Sequence, residues 1–149
     1  MNTRLTTILF LCFIAIALHS PAAPPPEKKD MTMTELTSQL FNLDGKVVEC
    51  EITRASSFDQ IAKGKYSVYL YFYKGNGSYN GERVLIPEDG RDFIEEMAER
   101  NYGNWSTETI YLLVHSEKPL EVKGGDYTRT FKLEALGTRF RKSKGTYSW

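Results

Sequence analysis

The sequence predicts a mainly β fold, a β-barrel with α elements, and three features carry that expectation. The first is Lys65 to Tyr73, in which Val68, Leu70 and Phe72 alternate with Ser67, Tyr69, Tyr71 and Tyr73. Successive strand side chains leave opposite faces, so this segment is a strand with an aliphatic core face and a tyrosine-lined second face. The second is the Asn-Gly pair written twice between Lys74 and Gly81, a dipeptide that supplies the positive-φ residues of tight hairpins. The third is Tyr127 to Lys142, where Phe131, Leu133 and Ala135 share one parity, Thr138 and Phe140 the other, and Gly137 sits at the change. A long final strand that bends at a glycine is what a small closed barrel requires.

The chain opens with residues 1–22, which read as a signal peptide. Arg4 supplies a short positive region, Ile8 to Leu18 an apolar run, and Ser20, Ala22 and Ala23 the small residues of a cleavage site. Cleavage after Ala22 or after Ala17 satisfies the small-x-small rule. The run is shorter than the roughly 20 residues of a membrane span, so no stable span is expected after cleavage. Leu11, not a small residue, precedes Cys12, which argues against lipoprotein acylation. Residues 23–31 form a proline-rich, charged tether, expected to be extended and mobile because it has nothing to bury. Residues 32–149 make a single domain around one core.

Lys and Arg number 19 and Asp and Glu number 19, so no global field draws the chain to nucleic acid, which is not an expected partner. With Cys12 in the signal, Cys50 is left alone and forms no intramolecular disulfide. It alternates with Val48 and Ile52, which marks it as a buried thiol and not a nucleophile. An exported domain without disulfides depends on packing, and this fits a bacterial envelope, periplasmic or extracellular, at least as well as a eukaryotic secretory route.

Thr32-Met33-Thr34-Glu35 fits a capping box ahead of a short helix with Leu36, Leu40 and Phe41 as its apolar stripe. Asn42 to Gly45 ends it in a turn. Lys46 to Arg54 is the first strand, with Val48, Cys50 and Ile52 inward and Val47, Glu49, Glu51 and Thr53 outward. Ala55 to Gly64 reads as a polar loop, followed by the tyrosine strand and then by Glu82 to Pro87, with Val84 and Ile86 on one face. The clearest helix follows, with acids in its first turn, Phe93, Ile94, Met97 and Ala98 at helical spacing, and Asn101 to Asn104 closing it. Thr109 to His115 is a fourth strand, Ser116 to Asp126 a loop, and Tyr127 to Lys142 the fifth strand.

The order strand, strand, strand, helix, strand, strand resembles the OB-fold, a five-stranded Greek-key barrel that binds oligonucleotides and oligosaccharides. Leu43-Asp44-Gly45-Lys46-Val47-Val48-Glu49 also resembles the opening of the tRNA-anticodon-binding-like OB group. The resemblance covers Leu43 to Lys142. It implies a ligand surface on the second and third strands, flanked by the loops after the first and fourth.

Tyr69, Tyr71 and Tyr73 are the candidate ligand-binding row, either stacking a ligand or packing beneath a neighbouring element. Arg139 and Arg141, with Lys142 and Lys144, form a basic cluster that either binds an anionic group or guards a solvated strand end. No catalytic, cofactor or metal residues are expected. His115 has no triad or ligand context, Glu49 and Glu51 have no reason to converge with it, and the acids of the long helix suit its dipole and solubility. The expectation is an exported, non-enzymatic binding module for a glycan, cell-wall polymer or peptide, the alternatives being an envelope structural or interaction subunit and an uncharacterised enzyme. The terminal Tyr147 and Trp149 are expected to fold back onto the domain, because a solvated tryptophan leaves a large apolar surface in water.

Overall fold

Alternation does produce a mainly β structure, while the second expected turn pair, Asn80-Gly81, lies within a strand. The computed structural model describes residues 23–72, 80–99 and 106–149. The signal segment, Tyr73, the Asn76-Gly77 turn and the Asn101 to Asn104 helix stop lie outside those residues. The strands are β1 (Pro26–Met31), β2 (Val47–Ile52), β3 (Arg54–Ala62), β4 (Lys65–Phe72), β5 (Asn80–Pro87), β6 (Glu108–Val114), β7 (Leu120–Gly124), β8 (Tyr127–Phe131), β9 (Leu133–Gly137), β10 (Arg139–Arg141) and β11 (Thr146–Ser148). Helices α1 (Met33–Ser38) and α2 (Arg91–Glu99) interrupt them.

Seven strands form one sheet in the order β1-β2-β6-β9-β5-β4-β3, and β7-β8 and β10-β11 are separate hairpins. The β1–β2 and β5–β9 pairs are parallel and the other neighbours antiparallel. The hydrogen-bonded order runs from β1 at one edge to β3 at the other, and among the described residues no closed barrel is found in the pairing.

One face of this sheet makes the main core. Val48, Cys50 and Ile52 of β2, Val68 and Leu70 of β4, Val84 and Ile86 of β5, and Ile110, Leu112 and Val114 of β6 belong to a single buried cluster, as their alternation requires. Leu133 and Ala135 join it from β9, Leu36 from α1, and Ile94 and Met97 from α2. Each fully buried aliphatic side chain contributes about 1.5–3 kcal/mol of transfer free energy. The capping box of α1 forms as its spacing predicts. The Glu35 N–H reaches Thr32 Oγ1 at 3.3 Å, and the Thr32 N–H reaches Glu35 Oε2 at 2.9 Å.

Several expectations are corrected. The proline-rich segment is no free tether from Pro26 onward: it is the edge strand β1, with Met31 buried. Proline offers no N–H, so such a segment can join a sheet only at an edge, where β1 lies. Val47, expected outward, is fully buried between Pro26 and Leu113 in the register. Phe41 is 76% exposed and belongs to no apolar stripe. Residues 55–64 are mostly strand β3, whose register slips twice against β4. Ser57 takes φ +52° within the first slip, so the alternation that marks a strand is broken there. The expected loop after β6 contains strand β7, which pairs with β8 in a hairpin turned by Gly125 at φ +55°. The single last strand is β8, β9 and β10, broken at Lys132 and Thr138.

Gly137 is a bend, as its position between two parities predicts. It has φ +153°, the β6–β9 register slips beside it, and a Cβ there would lie 2.5 Å from the Ser148 carbonyl oxygen. The chain end folds back as expected: β11 pairs with β10, and the Trp149 ring meets Phe93 at 5.9 Å and covers buried Gly90. Two outcomes follow for stability. Gly137→Ala should cost roughly 2–4 kcal/mol, because both its backbone angle and the adjacent chain oppose a Cβ, and urea unfolding midpoints measure it. Trp149→Ala should cost about 1–2 kcal/mol and lower Tm by roughly 3–10 °C in a thermal melt.

Candidate functional site

The second face of β3, β4 and β5 carries the predicted tyrosines. Register places Ser56, Tyr69 and Arg83 in one cross-strand row, and Arg54, Tyr71 and Gly81 in the next. Directly paired residues on adjacent strands point to the same face, so these six share one surface. Tyr69, Tyr71 and Arg83 are all half-buried. Tyr73, the third member of the expected row, lies outside the described residues.

Arg83 was not among the expected site residues, yet it organises this face. Its guanidinium carbon sits 4.6 Å from the centre of the Tyr69 ring, and its Nη1 donates to buried Ser67 Oγ at 3.0 Å. A guanidinium stacked on an aromatic ring is held flat and keeps its remaining in-plane donors for another group. Tyr69 is therefore not a bare ring but one half of a tyrosine–arginine pair. Tyr71 is fixed differently: Ser56 Oγ donates to its hydroxyl at 2.9 Å, and its ring lies where a side chain on Gly81 would be. A strand parity rule finds Tyr69 and Tyr71; only the β4–β5 register brings Arg83 to them.

Further along the same face the surface is covered. Leu85, Val122, Phe131 and Ile61 form a second, smaller cluster beneath the β7–β8 hairpin. Gly124 lets the hairpin backbone come so close that a Cβ there would collide with the Ile61 carbonyl. Arg129 of β8 reaches Asp59 of β3 at 3.6 Å and stacks 5.1 Å from the Tyr127 ring. The hairpin thus borders the tyrosine face on one side.

Arg139 and Arg141 are exposed on β10, and the β10–β11 hairpin packs on β6 and β9. The structure does not bring them to Tyr69 and Tyr71. They flank instead a second aromatic group, in which the Tyr147 ring lies 5.3 Å from Tyr111 and 4.8 Å from Phe140. The Tyr111 hydroxyl donates to Glu49 Oε2 at 2.8 Å, and a cleft of about 740 Å³ opens among Pro24, Pro25, Pro26, Glu49, Tyr111, Phe140 and Lys142. His115 is engaged elsewhere, 3.1 Å from Glu134 Oε2, so Glu49 and His115 serve different partners.

The Leu43-Asp44-Gly45-Lys46 opening has a structural task. Asp44 Oδ1 accepts from Ser116 Oγ at 3.2 Å and from the Glu117 N–H at 2.9 Å, and the latter bond above all holds its carboxyl below the usual range. The Gly45 N–H donates to Val114 at 2.8 Å. The motif ties the start of β2 to the end of β6.

Burial pushes the Tyr147 phenol up to about 12, and burial with the Glu49 hydrogen bond does the same for Tyr111. An unfolded tyrosine titrates at about 10. The folded state therefore holds these protons more tightly, so their contribution is intact below about pH 10 and lost as pH rises toward 12. Burial also pushes Cys50 up to about 12, so the comparison belongs in a Cys50→Ala background. There, Tm should fall between about pH 10 and 12, and Tyr111→Phe with Tyr147→Phe should flatten that fall. Compared with protein-family models, with curated proteins and with solved structures, the chain finds no match.

Proposed function

We propose that this chain is an exported, non-enzymatic binding module with an OB-like barrel, holding an oligomeric ligand on the face of Tyr69, Tyr71 and Arg83. The ligand class that fits best is a glycan or cell-wall polymer carrying acidic groups. The observation that carries this reading is the Tyr69–Arg83 pair: an aromatic surface and a pre-set guanidinium lie side by side on one half-buried strand face. Sugar rings pack on aromatic surfaces, and a guanidinium held flat offers paired donors to a carboxylate or phosphate.

The barrel reading is supported by the path of the chain. Strands β2 and β3 stand far apart in the hydrogen-bonded order, yet only Thr53 separates them, and its N–H donates to Tyr71 at 2.9 Å. One bent strand thus pairs with β6 by its first half and with β4 by its second, which joins the two sides of the sheet covalently. The succession β2–β3, β4, β5, α2, β6, β9 is the one that the OB resemblance implies. The face of β4 and β5 is then the ligand face of such a barrel, and the β7–β8 hairpin is an elaborated loop at its border.

Export is inferred from the apolar, small-residue-terminated run at Ile8 to Ala22. No helix among the described residues is long and apolar enough to cross a membrane.

The test is a binding panel of neutral and acidic polysaccharides and cell-wall fragments against the full chain and three variants. Tyr69→Ala and Tyr71→Ala should each weaken the best ligand about tenfold or more, by analogy with the roughly 1–3 kcal/mol of a ring stacked on an aromatic. Arg83→Lys should weaken acidic ligands selectively, since a point charge replaces a fork. Unchanged affinity in all three variants places the ligand elsewhere. A change in neutral and acidic ligands alike on Arg83→Lys refutes the acidic assignment.

A further inference from the structure

The cleft between the N-terminal prolines and the β10–β11 hairpin has an occupant on one of its walls, and that occupant identifies its chemistry. Pro24 and Pro25, just before β1, and Pro26, its first residue, run along it. The Tyr147 hydroxyl donates to the Pro24 carbonyl at 2.6 Å across 123 residues of sequence. Tyr147 stands in a trio of rings, 4.8 Å from Phe140 and 5.3 Å from Tyr111, with the Tyr111–Phe140 distance 6.4 Å. A proline-rich segment is recognised in this way elsewhere in protein chemistry. Its φ is preset, its backbone is extended and unpaired, its carbonyls are strong acceptors, and its rings pack on aromatic side chains.

We propose that Tyr111, Phe140 and Tyr147 form a recognition groove for a proline-rich extended peptide of another protein, held in the isolated chain by its own Pro24–Pro26. Three observations favour a groove over a simple internal contact. The cleft retains about 740 Å³ beside the prolines, so the chain's own segment fills only part of it. The segment cannot shift to use the rest, because Pro26 is already committed to the register of β1 against Val47. The lining of the cleft also carries Glu49 and Lys142, a carboxylate and an ammonium, which suit the charged residues that flank a proline run. The chain's own run, Pro24-Pro25-Pro26-Glu27-Lys28-Lys29, is flanked in that way. A free peptide is not tied to β1 and can span the three rings, with its carbonyl on Tyr147 Oη. The chain's own segment then acts as a competitor, at an effective concentration in the millimolar range typical of short connections.

The test uses the full chain and a fluorescently labelled peptide, Ala-Ala-Pro-Pro-Pro-Glu-Lys-Lys, followed by anisotropy. A variant with Pro24, Pro25 and Pro26 all changed to Gly frees the groove and should bind the peptide at least tenfold more tightly than the unaltered chain. Tyr147→Phe in that background should weaken binding roughly five- to tenfold, the loss of one hydrogen bond. A peptide with Gly-Ser-Gly in place of the prolines should not bind. In the unaltered chain, excess peptide should speed trypsin cleavage at Lys28, since displaced prolines free the start of β1. The inference is overturned by peptide binding that the Tyr147→Phe change leaves unaltered, by equal binding of the Gly-Ser-Gly peptide, or by absence of saturable binding together with trypsin cleavage that excess peptide does not alter. A dimer of the unaltered chain in light scattering, lost in the glycine variant, assigns the groove to a second copy and also refutes the proposal. None of these outcomes depends on Tyr69, Tyr71 or Arg83.

Discussion

Strands β2, β4, β5 and β6 donate alternate side chains to one buried cluster, and the rest of the structure depends on that. Val48, Cys50 and Ile52 face Ile110 and Leu112, with Val68, Leu70, Val84 and Ile86 completing the same cluster. The described residues hold one cysteine, buried, so no cross-link among them supplements the packing. A side chain of the wrong parity at any of these positions would move a polar group inward or an apolar one outward, because a one-residue slip exchanges the two faces. The inward face is thereby fixed, and with it the outward face on which Tyr69, Tyr71 and Arg83 meet.

The outward face is divided between a packed part and a half-buried part by one device, the break in β3. At Ser57 the strand leaves its regular register with β4. Phe58 then packs toward the main core, stacked 5.0 Å from Tyr66, while Ile61 joins the second cluster under β7–β8. The hairpin covers Leu85 and stops there. Tyr69, two residues along β4 from Ser67, stays half-buried with Arg83 across it. The same sheet surface thus serves as a small core at one end and as the candidate ligand face at the other.

The last strand is coupled to the segment before β1 in a similar way. Gly137 removes a side chain so that β11 can cross it, with the Thr138 N–H donating to Ser148 at 3.0 Å. That crossing sets Trp149 against Phe93 of α2 and Tyr147 against Tyr111 of β6. Tyr147 then reaches Pro24, so the last strand helps hold the first segment. The exposed Lys46–Glu27 pair at 2.7 Å adds little by comparison, since both partners are substantially solvated.

Local pattern by itself determined the inward rows of β2, β4, β5 and β6, the capping box of α1, the position of α2, the bend at Gly137 and the burial of Cys50. Each of these is written in a few neighbouring residues as a period, a cap or a glycine. It also marked Tyr69 and Tyr71 as outward. Tertiary structure alone decided what no local period encodes. Strand β3 was hidden because its bulge breaks alternation, and β7 because Val122 is its one buried apolar side chain. Strand β1 was hidden because prolines read as a tether until a parallel neighbour accepts them at an edge. Arg83 lies 14 residues from Tyr69 in the chain, and Tyr147 lies 36 from Tyr111. Those pairs exist only through strand register and through the crossing at Gly137, which are properties of the folded sheet and not of any segment within it.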